Sequence, residues 1–164
     1  MRLEKLFLKM IEYYAGDAKQ VQHFVKVHSF AKRIGLAEQL DEHNLAVLEA
    51  AALVHDIGIK AAREKHDSSN GKFQELEGPP LAEKMLAELG YPEEIVQRVS
   101  YLVGHHHSYD QIDGLDYQIL VEADFLVNIY ESNMSRETVQ SVLEKIFKTE
   151  SGRRLANLMF LPAA

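Results

Sequence analysis

A chain of 164 residues with 46% hydrophobic side chains can bury a core of its own, and residues 1–164 are read as a single domain. It contains no cysteine, so disulfides, thiolate zinc sites and cysteine nucleophiles are excluded, and any metal must be held by nitrogen and oxygen. A net charge of −7 disfavours nucleic acid and anionic membrane, and no stretch reaches the roughly 18 apolar residues that a membrane span needs; we expect a cytoplasmic monomer or homodimer acting on a small molecule.

No period-2 run of β-branched residues suggests a sheet, so the expected class is all-α. A first helix is predicted over 3–14, ending near Gly16. A second covers 19–40, with Val21, Phe24, Val25, His28, Ala31 and Gly35 on one stripe. A third covers 44–57 and carries Leu48, Ala51, Ala52 and His55 on a common face until Gly58 interrupts it. Residues 60–78 are polar, with Ser68, Ser69, Asn70 and Gly71 in succession, and read as an exposed loop or mobile lid. A fourth helix follows Pro79 and Pro80 and stops at Gly90. A fifth opens with Pro92, Glu93 and Glu94 in its first turn and ends near Gly104. A sixth covers 116–131, and a seventh follows Ser135, an N-cap candidate, to about 147. The tail 151–161 adds a short helix, giving a bundle of about six to eight.

The pair His55-Asp56 closes the apolar run EAAALVHDIG, where two ionisable groups are costly to bury unless something satisfies both. A metal ion would do so if it lay near the helix end, because adjacent helical residues point about 100° apart. The bland alternative is a core histidine bonded to a backbone carbonyl. His28 sits on the apolar stripe of its own helix, and Asp124 lines up with Tyr117, Leu120, Val121 and Asn128. Three helices thus direct a metal-competent group inward.

The order His, His-Asp, Asp, present as VKVHSFAKRIG, LVHDIG and LVEADFLVN, resembles the HD-domain phosphohydrolase superfamily over a motif core of about 21–128, with helices of 135–161 following. The resemblance implies an all-helical bundle in which His28, His55, Asp56 and Asp124 ligate a divalent metal. It also implies further histidines for a second metal or a substrate phosphate. The run His105, His106, His107 supplies candidates, of which His105 and His106 are favoured by placement. Where relatives often carry His-Gly, this chain has Glu77-Gly78, so Glu77, His105 and His106 form the candidate second-metal set. After HDIG the chain has Ile59, where related phosphodiesterases place Lys and nucleotidases Glu. Lys60 is the candidate substrate-binding lysine, ahead of Arg63, Lys65 and Lys72.

Mixed imidazole and carboxylate donors suit Fe, Mn, Co, Ni or Zn better than Ca or Mg. The expected activity is hydrolysis of a phosphate ester or anhydride of a small molecule, nucleotides first, by metal-activated water. Asp56 would take its proton, and His105 or His106 would bind phosphate or protonate the leaving oxygen. The alternatives are a non-catalytic metal- or nucleotide-binding regulatory module and a di-iron oxygenase of related fold.

Overall fold

The computed structural model describes residues 2–162, which form nine α-helices and no strand. In order they are α1 (Arg2–Tyr13), α2 (Ala18–Ala37), α3 (Glu42–Val54), α4 (Gly58–His66), α5 (Gly71–Glu88), α6 (Glu93–Val103), α7 (Leu115–Glu131), α8 (Arg136–Ile146) and α9 (Glu150–Phe160). The all-α class follows the sequence expectation. None of the described helices is long and apolar enough to cross a membrane.

α3 and α7 occupy the middle because they are apolar on all sides. Every residue of α3 from Val47 to Val54 is buried, and α7 is buried from Asp116 to Asp124. α2 packs against both, α6 against α3 and α5, and α1 against α3. α2 enters this core by Phe24, Val27, Ala31, Ile34 and Gly35. The expected stripe through Val21, Val25 and His28 is rotated from the real one, and those three residues are half-buried at its margin.

The stretch 60–78 corrects the expectation most. It is no loop: α4 and the first half of α5 fill it, and only 67–70 connect them. Asp67 adopts a left-handed conformation (φ 50°) that ends α4, and the Asn70 side chain accepts the Lys72 amide at 3.0 Å to cap α5. The fourth predicted helix therefore starts before its prolines, which lie inside α5. Gly78 precedes Pro79 and has no Cβ to clash with the proline ring, which eases helix continuation there. A Cβ at Gly78 would also come within 2.6 Å of Val103, and one at Gly58 within 2.4 Å of the Gln74 carbonyl. The two glycines let α4, α5 and α6 approach closely.

The C-terminal helices are pinned to α7 by a fully buried carboxylate. Glu122 accepts the Lys148 and Thr149 amides at 2.6 and 2.9 Å and the Gln118 side chain at 2.7 Å, so the charge is solvated by donors instead of water.

Candidate metal centre

Four chain segments meet at one end of the central pair. α2 brings His23 one turn before Val27, α7 brings Asp124, and the segment after α6 brings His106. Between them lies the break from α3 to α4. Helical bonding stops at Val54, so His55 and Asp56 occupy a turn in which two adjacent side chains face the same point. The sequence argument that the pair needs a helix end holds.

His23 Nε2 stands 3.3 Å from His55 Nε2, 3.3 Å from Asp56 Oδ2 and 3.2 Å from Asp124 Oδ1. His55 Nε2 lies 3.5 Å from Asp56 Oδ2 and 3.6 Å from Asp124 Oδ1. His106 Nε2 is 3.4 Å from the other oxygen of Asp56, Oδ1, and is buried with no hydrogen-bond partner.

The imidazoles are held from behind, and the carboxylates have further donors of their own. His55 Nδ1 meets the Ala52 carbonyl at 2.8 Å and His106 Nδ1 the Val103 carbonyl at 2.9 Å. A carbonyl only accepts, so each Nδ1 carries a proton and each Nε2 is left to face inward. The Glu131 carboxylate does the same for His23 at 2.8 Å and is itself paired with Lys26. Gln20 donates to Asp56 Oδ2 at 3.0 Å, Asn128 to Asp124 Oδ1 at 2.9 Å, and the Tyr14 hydroxyl to the Asp56 carbonyl at 2.7 Å. Such outer contacts fix ligand orientation and basicity in metal sites.

The electrostatics are those of crowded opposite charges. Burial alone would push His23 down, but hydrogen bonding to Asp124 and the charges of Asp56 and Asp124 outweigh it and lift the ring to about 9. His55 moves up for the same reasons, against complete burial. Burial would raise both carboxyls, yet His55 and His106 hold Asp56, and His23 and His55 hold Asp124, well below the usual range. His107 is driven down to about 4, first by burial and then by His106.

These donors fit a divalent cation. Two ligand atoms about 2.1 Å from one ion at tetrahedral or octahedral angles lie about 3.0–3.4 Å apart, close to the separations above. His23, His55 and Asp56 form one group with mutually close ligand atoms; Asp56, His106 and His107 form a second, sharing the aspartate. The orphaned Nε2 of His106 has the unmet coordination that an ion would satisfy. The cluster opens on a cavity of about 240 Å³ lined in part by Lys19, Gln74, His107 and Ser132.

The sequence-predicted residues divide. His55, Asp56 and Asp124 come together, and so does His106. His28 does not: five residues and so about 140° around α2 from His23, its Nε2 bonds Glu49 at 3.0 Å on the far side of the helix, beside Lys32. His23 stands where His28 was expected. Its signal was in the chain, because His23, Val27, Ala31 and Ile34 recur at helical spacing. His105 turns away, stacked on Tyr101 and bonded to its carbonyl at 2.7 Å, while His107 lines the cavity. Glu77 is taken up by His66 at 2.9 Å and Lys65 at 2.5 Å, so it joins neither donor group. Lys60 lies over the Tyr13 ring in a separate recess with Arg63 and Glu64. Gln20 and Glu131 carried no signal, since polar residues one turn from a helix end usually face water.

A family model described as HD domain matches residues 21–149. Among solved structures, a predicted HD superfamily hydrolase from an uncultured Thermotogales bacterium superposes with a TM-score of 0.68 at 23% identity, over 94% of this chain and 82% of that one. At that identity the likeness shows the shared fold. No curated protein matches the sequence.

Proposed function

Because the chain belongs to the HD domain family, we propose that it is a metal-dependent hydrolase that cleaves a phosphate ester or anhydride of a small molecule, with nucleotides as the first class to try. The observation that carries this reading is the convergence of three imidazole Nε2 atoms and two carboxylates beside one cavity, each imidazole tethered through its Nδ1.

A divalent transition ion such as Fe, Mn, Co, Ni or Zn would be held by His23, His55, Asp56 and Asp124, where it would supply positive charge that acidifies water and polarises a phosphoryl oxygen. The chain's own groups do the rest. Asp56, whose two oxygens face the histidine cluster, is placed to accept a proton from attacking water. Gln20 keeps it oriented for that task. Lys19 and Ser132, on the cavity wall, meet the anionic oxygens of the substrate. Asp56, His106 and His107 would hold a second ion, whose charge would help to neutralise the substrate phosphate.

The test is to strip the protein, reload it with Mn, Co or Fe, count bound metal, and assay phosphate release from a panel of nucleotides and phosphate esters. Metal-dependent release that Asp56→Asn abolishes is expected. Bound metal with no release from any substrate would favour the regulatory reading instead.

A further inference from the structure

His106 and His107 sit at the two central positions of a turn that the Ser108 amide closes onto the His105 carbonyl at 2.7 Å. Such a turn lies beyond the end of α6 and has no helical bonding of its own. Residues of α5 and α7 hold it. The Tyr117 hydroxyl lies between the carbonyls at both ends of the turn, His105 and Ser108, the latter at 2.6 Å, and shares its single proton between them. Tyr117 is wholly buried, and its ring packs edge-on against Tyr101, which stacks on His105.

Tyr117 lies two turns before Asp124 on the same face of α7. One rigid helix therefore carries an inward-facing carboxylate and the clamp that sets the height of the histidine turn relative to it. Arg98 secures the far end of the segment by pairing with Asp113 and Asp116 at 2.8 and 2.7 Å, but it touches neither histidine. The turn is also held by the Glu75 carboxylate, which accepts the His107 amide at 2.9 Å and the Ser108 hydroxyl, and the Val103 carbonyl orients the His106 ring through Nδ1.

We infer that Tyr117 is a positioning residue for the metal centre: its hydroxyl holds the 105–108 turn so that His106 Nε2 faces Asp56 Oδ1, with which it would help to hold an ion. This rests on the metal-site reading above. A buried tyrosine that merely satisfies its hydroxyl would stabilise the fold without acting through His106.

The two roles separate in a double-mutant cycle read by Co²⁺ affinity, measured by calorimetry and by the visible spectrum of the bound ion. Tyr117→Phe keeps the ring in the core. It should weaken Co²⁺ binding about tenfold in the wild-type background, as loss of an orienting partner does. In a His106→Ala background the same change should have no effect. An equal loss in both backgrounds, or no loss in either, overturns the inference. If the Phe variant does not fold, 3-fluorotyrosine at 117 keeps the ring and the hydroxyl and changes the donor strength, and its effect on affinity must likewise vanish without His106. Should the wild-type protein take up no Co²⁺, the metal-site reading itself fails; additive changes in a protein that does bind Co²⁺ defeat this inference alone.

Discussion

His23 and His28 lie five residues apart on α2, and each meets a carboxylate within 3.0 Å. Their rings are used in opposite ways. His23 gives Nδ1 to Glu131 on the outside and turns Nε2 toward His55, Asp56 and Asp124. His28 spends Nε2 on Glu49, whose same oxygen also takes Lys32. The protonation tendencies follow: several carboxylates lift His23 to about 9, whereas burial, the dominant influence on His28, depresses it despite Glu49. A histidine near a carboxylate is therefore no sign of a metal site. The sign is an Nε2 left free by an outer partner and met by donors from other helices.

The largest expected effect breaks the comparison at its centre. His23→Ala removes an inward donor and should weaken Co²⁺ or Mn²⁺ binding by more than roughly 100-fold, beyond the loss that an outer partner causes. His28→Ala should leave affinity and metal-dependent phosphate release unchanged within error. Calorimetric titration of both variants decides it, and equal losses would put the two rings in one site after all.

A smaller, paired effect sharpens it. Glu131→Gln retains an oxygen acceptor for His23 but withdraws the charge that raises its basicity, and should cost about tenfold in metal affinity. Glu49→Gln makes the same change behind His28 and should not move the metal titration. A matching loss from Glu49→Gln would mean that α2 transmits charge changes along its length, and the contrast between the rings would then be one of degree.

Much of this centre was legible in the chain, and what was missed has physical causes. His55, Asp56 and Asp124 could be found because ionisable groups inside EAAALVHDIG and LVEADFLVN are conspicuous against apolar neighbours. The apolar stripe points to His28 and the structure to His23, a difference of helical phase. α2 carries apolar residues on more than one side, and a shift of one residue in the assumed stripe moves its face by 100°. The stretch 60–78 looked like a loop because helix propensity weighs Ser, Asn, Gly and Pro against a helix. The packing of Gly58 and Gly78 at the crossing of α4 and α5, with the Asn70 cap, outweighs that local preference. Which of three successive histidines faces inward could not be read from spacing, because a turn outside a helix has no fixed period. It is decided by the Val103 carbonyl behind His106 and the Tyr101 ring against His105.

The smallest effect concerns stability and belongs to His28. Its folded-state pKa is held below the ordinary value of about 6.5, so in mild acid the unfolded chain binds a proton that the folded chain resists. Unfolding then takes up protons, and stability falls as pH drops through and below about 6.5, while above it the ring is neutral in both states and contributes no slope. His28→Ala should reduce this slope, leaving the part that His107, driven down to about 4, contributes with the same sign, measured by urea denaturation of the metal-free protein between about pH 5 and 7.5. At neutral pH the variant should lose about 1 kcal/mol for the missing hydrogen bond to Glu49, because Lys32 still pairs with that carboxylate. His23, lifted in the metal-free protein, has the opposite sign and contributes its slope as pH rises toward about 9, so the two rings occupy different parts of the titration. An acid slope that survives His28→Ala unchanged would show that the ring is not kept neutral by its surroundings, and that its difference from His23 lies in geometry alone.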